Sequence, residues 1–594
     1  MSQVEATFVG RVDSVKGSVV TVRITDNIPT LIIVEGQSYR VGQIGSFLRI
    51  PLGYTQLYGV CTLVGAAAAP NTETITQENS QRWLSITLFG ESCGAFFERG
   101  VSQYPTFGDE VHLVTSDDIK IIYNTAERDR TIIVGNIAAS SGISGRLDLG
   151  RLITRHTAIV GSTGSGKSNL VAVLLEAIAT QGFKSSRVLV VDPHGEYASA
   201  VGKTGYVYKV NPDPKDGHKN LYIPFWALPF DELKNICLGE MQPSQESSVR
   251  DLLTDLKKGA AKLLKKAPID SAITADSPIP FNIKKLWFDL DDFERQTFKK
   301  DRKTSMDLIK KGDSEKLISN EYPQPNPGDN EPYAHPNPRR IFKQIDLLKS
   351  RLQDSNYSFL FEPGKGLTPD KKGQCTEDLD DLVGSWVGHD RSITVLDVSG
   401  LPSETLSAVV GTLLRIVYDM LFWGGGLPVG GREQPLLIAL EEAHLFLPEG
   451  EDSPAHRAVA KIAKEGRKYG VGLAVITQRP TEIDSTILSQ CGTFIALRMT
   501  NSKDRAKVES AMPDDLGALS GMLPSLRTGE GLVIGEAMPI PSRIQFYRAA
   551  NKPLGDDPDV AVAWQKPRPD AKHYTQALTS WRNQSIHVEE ETKK

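Results

Sequence analysis

A short glycine-rich segment, GSTGSGKS at 161–168, constrains this chain more than any other stretch of its sequence. It follows the apolar run TAIV and precedes NLVAVLLEAIAT, which has the composition of a helix. The pattern G-x-x-x-x-G-K-[ST] between a strand and a helix is typical of a P-loop, where backbone N–H groups and a helix N-terminus hold phosphate oxygens. A flexible Gly/Ser linker is the alternative, but the flanking strand-like and helix-like runs favour the P-loop. The segment therefore predicts a nucleotide-phosphate site.

The residues of this loop have separate expected roles. Glycine lets the backbone turn tightly and approach the phosphates closely. The Lys167 ammonium is expected at the β- and γ-phosphates, and the Ser168 hydroxyl is expected as a ligand of Mg²⁺. We therefore expect ATP and Mg²⁺ as cofactors. The residues expected to contact the nucleotide here are Gly161, Ser162, Thr163, Gly164, Ser165, Gly166, Lys167, Ser168 and Asn169.

Composition limits the remaining possibilities. The 594 residues suggest several domains, and the net charge of −5 gives no overall basic excess. Any DNA contact must then be a local patch or a ring built by assembly. The five cysteines form no CxxC pair, which argues against zinc or a disulfide framework and fits a reducing cytosol. The apolar stretch 406–423 is broken by Arg415 and Asp419 and indicates a buried helix, so we expect no membrane anchor and a cytoplasmic location.

The chain divides into regions of different pattern. Short β-rich runs separated by turns over 1–135 predict a small β-barrel, with a long hairpin loop at 67–80. Strands then alternate with helices, which predicts an α/β fold with a parallel-sheet, P-loop (RecA-like) core. The expected divisions are a barrel at 1–135, a core in two parts at 136–227 and 391–550, a helical insertion at 228–390, and a C-terminal extension at 551–594.

The insertion is rich in lysine and carries six prolines in NEYPQPNPGDNEPYAHPNPRR. So many prolines exclude regular structure there and predict an exposed loop. The lysine runs fit a solvated helix face better than a DNA site.

A P-loop ATPase needs a carboxylate at the end of a second strand. Asp192, Asp397 and the pair Glu441-Glu442 are candidates, and we choose the pair because five apolar residues lead directly into it. Glu441 is expected to hold the magnesium shell, and Glu442 to orient or deprotonate the attacking water. Asp192 and Glu196, in DPHGEY, either support the site or only shape a turn.

Two further side chains are candidates for catalysis. Gln478 ends another strand, where its amide could sense the γ-phosphate. Arg467 precedes that strand and could act as an arginine finger on a neighbouring subunit, or simply complement a helix dipole. For DNA contact, Arg457, Lys461 and Lys464 share one helical face, although a solvated basic stripe explains the same spacing.

Five segments together resemble the HerA group of the HerA/FtsK class of P-loop ATPases. They are RHTAIVGSTGSGKS, VLVVDPHGEY, PLLIALEEAHLFLP, AKEGRKYGVGLAVITQRP and RTGEGLVIGEAMPIPSRIQF. The resemblance implies a homohexameric ring that translocates double-stranded DNA beside a nuclease or sirtuin-like effector in DNA processing or phage defence. It further implies nucleotide contact by Arg155, a trans finger at Arg467, a sensor at Gln478, and Pro541 and Ser542 beside the base.

Two functional classes remain open at this point. The first is a motor that hydrolyses ATP to move DNA through a ring. The second is a nucleotide-gated scaffold that organises and regulates an effector enzyme without processive translocation. A complete hydrolytic set argues for ATP hydrolysis in either class, and the resemblance favours the motor.

Overall fold

A computed structural model describes residues 7–34, 36–66, 82–123, 128–138, 142–326, 330–364, 366–512, 517–555 and 559–582. The expected hairpin loop at 67–80 lies outside these residues. The N-terminal region forms the predicted barrel, in which six strands pair in the order β2-β1-β9-β5-β6-β7 and β7 returns to β2. The strands of this region are β1 Phe8–Lys16, β2 Val19–Ile24, β3 Leu31–Val34, β4 Gln37–Arg40, β5 Phe47–Leu52, β6 Thr55–Ala66, β7 Arg82–Cys93, β8 Phe96–Arg99 and β9 Glu110–Leu113.

Alternation of side chains along the barrel strands fills its interior with branched apolar residues. Val9, Val22, Leu48, Ile86 and Val111 are all nearly inaccessible to solvent there. Strand β8 extends the sheet beyond β7, and β3 pairs only with β4.

The barrel ends earlier than the boundary expected at 135. After β9 comes the helix Ser116–Tyr123, and the next strand, β10 (Thr131–Ile137), already belongs to the sheet of the core. A β-rich run gives no sign of which sheet it joins, so pattern alone misplaced this strand.

The core is a twelve-stranded sheet ordered β11-β10-β21-β20-β19-β12-β18-β17-β13-β16-β14-β15. Strands β19 through β15 in this order run parallel, as predicted. Besides β10 its strands are β11 Ser144–Asp148, β12 Thr157–Val160, β13 Val188–Asp192, β14 Gly205–Lys209, β15 Lys219–Asn220, β16 Ile393–Asp397, β17 Leu436–Leu440, β18 Val471–Thr477, β19 Thr493–Leu497, β20 Glu530–Gly535 and β21 Ser542–Phe546.

Strand β20 differs from expectation because it runs antiparallel to β19. The reason is visible in the chain path. Both Arg498, which follows β19, and Gly529, which precedes β20, bond to the P-loop. The chain thus leaves β19 and enters β20 at the same end of the strands, so β20 must run in the opposite direction to β19.

Helices cover the parallel strands and complete the core. The apolar segment around 406–423 is the helix Ser403–Trp423, which buries Val409, Leu413 and Val417 against the core and packs on the helix Pro454–Glu465. Among the described residues it is the one helix long and apolar enough to cross a membrane, and 61% of its most apolar window is buried inside the protein. The remaining core helices are Leu149–Thr154, Lys167–Thr180, Ala198–Val201, Ser485–Ser489, Ser502–Ala511 and Gly517–Ser520.

The insertion is helical, as predicted, and it begins after two short strands, β14 and β15, that the sequence did not reveal. Its lysines do not behave alike. Lys257 is buried and donates to the carbonyls of Ala275 and Ser277, whereas Lys262 and Lys265 are exposed. No helix or strand is assigned in the described part of the proline-rich segment 320–340. The helices of the insertion are Phe230–Cys237, Pro243–Ala261, Ile283–Arg295, Phe342–Gln353, Ser358–Phe361 and Leu379–Val387.

The C-terminal extension carries two helices, Val560–Trp564 and Ala571–Arg582, and neither buries a side chain. Before them, Leu554 N donates to Glu196 O at 2.8 Å, so the extension leaves the core beside strand β13.

Candidate functional site

The glycine-rich loop lies between the carboxyl end of β12 and the helix Lys167–Thr180, as a P-loop requires. Gly166 caps this helix with φ +99°, a left-handed conformation that a side chain would strain. A Cβ at Gly166 would also lie 3.0 Å from the backbone nitrogen of Gly529. Gly529 N in turn donates to Ser165 O at 2.9 Å, so the loop is held closed from behind. The helix N-terminus that follows is suited to an anion.

Lys167 and Glu442 meet at the centre of the site. Lys167 Nζ lies 3.3 Å from Glu442 Oε1, and both side chains are about nine-tenths buried. Glu442 follows β17, two strands from β12 across β18, so the sheet order brings the lysine and carboxylate together. A buried charge needs a partner, and each of these residues supplies one to the other.

Glu442 is held in an unusual backbone conformation beside a histidine. Its φ of +45° is left-handed, which is uncommon for a residue with a side chain and concentrates at functional sites. Glu442 Oε2 lies 3.2 Å from His444 Nδ1. Burial alone would raise the pKa of Glu442, but the neighbouring His444 ring and the Lys167 charge outweigh it and hold this pKa below its ordinary value. Glu442 therefore stays ionised and can accept a proton.

Glu441 has the opposite electrostatic environment. It is 2% exposed, and its Oε2 has no hydrogen-bond partner among the residues that the structure describes. Burial raises the pKa of Glu441 to about 8, against the opposing charge of Lys167. Burial disfavours the ionised form of such a carboxyl when it has no partner. It is a suitable ligand for a cation that replaces its proton.

The side-chain oxygens around Ser168 are suited to binding Mg²⁺. Ser168 Oγ donates to Glu196 Oε2 at 3.2 Å, and the orphaned oxygen of Glu441 is the second available carboxylate. Across the described ranges no group of three or more His, Cys, Asp or Glu side chains could hold a metal by itself. Mg²⁺ in nucleotide sites commonly takes one or two carboxylates and completes its shell with phosphates and water.

The other two candidate carboxylates have structural partners. Asp192 accepts backbone N–H bonds from His194, Gly195 and Tyr197, so it shapes the turn of DPHGEY. Asp397 lies 2.9 Å from Lys209 Nζ. Of the two acidic residues in DPHGEY, only Glu196 reaches the P-loop.

Gln478 and Arg498 flank the glycine-rich loop. Thr163 Oγ1 donates to Gln478 Oε1, which places the amide beside the P-loop. Arg498 Nη2 lies 3.4 Å from Gly164 O, and Arg498 O accepts both the N–H and the hydroxyl of Ser162. Arg498 and His444 were not among the residues predicted from the sequence. Arg498 directly follows strand β19, and His444 lies two residues after the Glu441-Glu442 pair.

Asn169 and the expected base-flanking pair have other partners. Asn169 donates to Tyr547 O and accepts from Ala549 N, so its amide ties the chain after β21 to the P-loop helix. Ser542 pairs with Val533 and its buried hydroxyl bonds to Tyr123.

Within one chain, Pro541 and Ser542 therefore lie away from the P-loop, and their expected place beside the base stays a prediction. The antiparallel register puts Gln545, three residues beyond Ser542, opposite Glu530 at the P-loop. Pro541 instead lines a cavity together with barrel residues such as Tyr39 and Phe47.

Arg155 and Arg467 lie at the amino-terminal ends of the parallel strands, whereas the P-loop lies at their carboxyl ends. Arg155 precedes β12, at the opposite end of that strand from the P-loop, and pairs with Glu536 at 3.3 Å. Arg467 precedes β18, which runs parallel to β12, and its exposed side chain has no hydrogen bond or ion pair within the described part of the chain. Both residues therefore lie away from the P-loop of their own chain.

His156 connects this end of the strands to the helix before Arg467. Leu473 N donates to His156 Nδ1 at 3.0 Å, so the proton is on Nε2, which donates to Ala463 O at 3.1 Å. Burial lowers the pKa of His156 to about 4, which keeps the ring neutral.

The predicted basic stripe is largely neutralised. Arg457 pairs with Asp452 at 3.2 Å, and Lys461 pairs with Asp419 at 3.2 Å. Lys464 is exposed. The spacing of the three residues on the helix Pro454–Glu465 is as expected, but helical periodicity could not show which carboxylates the fold brings beside them.

The fold and the site define the class of protein. A phosphate loop after one strand of a parallel sheet, with a lysine and an acidic pair from a strand two places away, is the arrangement of a P-loop NTPase. Two family profiles match the chain, "Helicase HerA, central domain" over 132–417 and "Helicase HerA-like C-terminal" over 392–549. The chain belongs to the HerA-like family of P-loop NTPases.

Similar proteins extend this comparison. The DNA double-strand break repair helicase HerA of Pyrococcus furiosus is 25% identical over 471 residues, covering 74% of this chain and 73% of the relative. The protein with the same description from Saccharolobus solfataricus is 25% identical over 462 residues, covering 78% and 77%. Among solved structures, VirB4 of Thermoanaerobacter pseudethanolicus aligns with a TM-score of 0.46 and 17% identity, covering 70% of this chain and 96% of VirB4.

Proposed function

We propose that this protein is a ring-forming ATPase that uses ATP hydrolysis to translocate double-stranded DNA. The observation that carries the proposal is the meeting of Lys167, Glu442 and Glu441 at the P-loop edge of one sheet. Support for the DNA substrate comes from two relatives that are described as DNA double-strand break repair helicases.

The residues suggest how hydrolysis proceeds. When ATP enters, its phosphates compete with Glu442 for the Lys167 ammonium. Glu442 keeps its negative charge and becomes available to accept a proton from an attacking water. Gln478, which bonds to Thr163 in the loop, is positioned to orient that water or to sense the γ-phosphate. Ser168, Glu441 and Glu196 would hold Mg²⁺, which would neutralise part of the phosphate charge.

The proposed assembly is a homohexameric ring with a nucleotide at each junction. Arg467 supports it, because this exposed arginine is remote from the P-loop of its own chain and would complete the nucleotide site of a neighbouring subunit. Arg155 lies at the same end of the strands and would serve the same junction.

Within this proposal the motor acts with a separate effector, a nuclease or sirtuin-like enzyme, in DNA processing or phage defence. The family resemblance is its support. The proposed location is the cytoplasm, which agrees with five cysteines that are all free thiols. One observation supports the alternative scaffold function. Three aromatic side chains of the C-terminal helices are exposed and suit contact with another protein: Trp564, Tyr574 and Trp581.

Displacement of a third strand tests translocation directly. A labelled oligonucleotide is bound as a triplex in a long duplex, and its release is followed after addition of ATP. A translocating motor releases the oligonucleotide in a reaction that needs ATP, and the Glu442→Gln variant does not. If the wild-type protein hydrolyses ATP on this DNA but never releases the third strand, the motor is rejected in favour of the scaffold.

A further inference from the structure

The hydroxyl of Tyr197 is a buried polar group that the proposed hydrolysis does not use. Tyr197 is the last residue of the segment DPHGEY and is fully buried. Its hydroxyl has no hydrogen-bond partner within the described part of the chain. A buried hydroxyl without a partner costs free energy, so its presence in a folded protein calls for an explanation.

Backbone contacts place Tyr197 beside the acidic pair. Asp192, the last residue of β13, accepts the backbone N–H of Tyr197 at 2.9 Å. Strand β13 runs parallel to β17 with Val191 opposite Leu440. Glu441 follows Leu440, and its backbone N–H donates to Val191 O at 3.1 Å. The turn that ends in Tyr197 is therefore held at the strand ends where Glu441 leaves β17.

The surroundings of the hydroxyl agree with this placement. Burial raises the pKa of Tyr197 well above its ordinary value, and the charge of Glu441 is the next largest cause. Asp192 and Glu196 act in the same direction, whereas the hydroxyl of Ser168 opposes them. The phenol therefore keeps its proton and is a hydrogen-bond donor among acidic groups.

Glu441 supplies a matching acceptor. It is 2% exposed, and its Oε2 also lacks a hydrogen-bond partner among the described residues. One of these two groups is an O–H donor and the other is a carboxylate oxygen, so a bond between them satisfies both. Side chains that ligate metals are commonly oriented by a second residue that hydrogen-bonds to them.

We infer that Tyr197 is a positioning residue for Glu441, whose hydroxyl donates to one carboxylate oxygen of Glu441 and so aims the other at the cation that accompanies a bound nucleotide. The inference rests on the proposed function, because it assigns a support to a residue that would hold Mg²⁺ there. Tyr197 acts through Glu441 and touches neither nucleotide nor cation. Its removal should therefore change the affinity for the cation and leave the fold intact.

The test measures Mn²⁺ binding to the full-length protein in the presence of a non-hydrolysable ATP analogue. Mn²⁺ accepts the same oxygen ligands as Mg²⁺, and the paramagnetic resonance of free Mn²⁺ gives its dissociation constant without any turnover. Tyr197→Phe removes only the hydroxyl. Tyr58→Phe is the matched control, because it removes the hydroxyl of another buried tyrosine, one that bonds to Ser92 in the barrel.

Tyr197→Phe should weaken Mn²⁺ binding by about 10-fold or more, the usual effect of removing a residue that orients a metal ligand. Binding of the ATP analogue without a divalent cation should match the wild type, and so should the midpoint of thermal unfolding. In a double-mutant cycle, Tyr197→Phe should cost little further Mn²⁺ affinity once Glu441→Gln is present. Tyr58→Phe should bind Mn²⁺ as the wild-type protein does.

Unchanged Mn²⁺ affinity in Tyr197→Phe overturns the inference and leaves the proposed function standing. Equal losses with and without Glu441→Gln have the same consequence. A clearly lower unfolding midpoint, or weaker binding of the analogue without cation, overturns it too, since the hydroxyl would then serve the fold or the nucleotide. If the wild-type protein binds neither the analogue nor Mn²⁺, the proposed ATP hydrolysis fails and the inference fails with it.

Discussion

Lys167 Nζ lies 3.3 Å from Glu442 Oε1, so the P-loop lysine is paired with the carboxylate expected to act as base. We expect phosphate oxygens to compete with Glu442 for the lysine when a nucleotide binds. This relationship links nucleotide entry to activation of the base, and it accounts for how two charged side chains remain stable when about nine-tenths buried.

Replacement of the P-loop lysine should nearly abolish ATP turnover. Lys167→Ala removes the ammonium that counters charge on the transferring phosphoryl group, and we expect a loss of at least about 100-fold. Steady-state phosphate release measures it. Lys184→Ala, which removes an exposed lysine beyond the same helix, should hydrolyse ATP normally. Comparable losses in both variants would contradict a specific role for Lys167.

Glu442→Gln should separate binding from hydrolysis. The amide keeps the shape of the side chain but cannot accept the proton of the attacking water, so ATP should bind and turnover should fall by about 100-fold or more. Nucleotide binding is followed with a fluorescent ATP analogue, and turnover by phosphate release. If Glu442→Gln hydrolyses ATP at the wild-type rate while Asp192→Asn or Asp397→Asn is inactive, the carboxylate assignment is wrong.

The trans role of Arg467 can be tested by mixing two inactive variants. Arg467→Ala keeps a good P-loop and Lys167→Ala keeps a good arginine, so mixed rings should regain some junctions that have both. Activity should rise well above the sum of the separate preparations, with co-purification of two tags showing that the rings are mixed. Mixed rings without recovered activity would leave Arg467 without the proposed partner.

The buried histidine predicts a loss of stability in acid. The pKa of His156 falls from the ordinary value of 6.5 to about 4 on folding, because burial disfavours the charged ring. Its contribution is therefore fully present above pH 6.5 and is lost as the pH falls towards 4, by about 3 kcal/mol in all. Thermal unfolding at pH 7 and pH 5 measures this. His156→Asn should be less stable at pH 7 and lose less between the two values; an equal loss would contradict the assignment.

The sequence predicted the elements that have strong local signals. TAIV followed by a glycine-rich turn predicted β12 and its helix, and LLIALEE predicted a buried strand that ends in carboxylates near the phosphates. Both rest on apolar runs and turn residues that are contiguous in the chain. Strand β14, GYVYK, was missed because it is short and its neighbour β16 lies far away in the sequence.

Features that depend on register and on distant partners could not be predicted from the sequence. Ser542 is the first residue of β21, four residues before the P-loop end of that strand, and only the antiparallel pairing of β20 with β21 shows this. Arg457 and Lys461 have the expected helical spacing, but Asp452 and Asp419 neutralise them. Glu196 and Arg498 reach the loop by chain paths that no local pattern encodes.

The central claim is that the site drives a motor on DNA, and the dependence of ATP turnover on duplex DNA tests it most directly. The measurement compares the wild-type protein with and without a long duplex over a series of salt concentrations. The account predicts that DNA stimulates turnover and that the stimulation falls steeply as salt weakens the phosphate contacts. Turnover that is substantial but indifferent to duplex DNA at every salt concentration would contradict the account and support a nucleotide-gated scaffold.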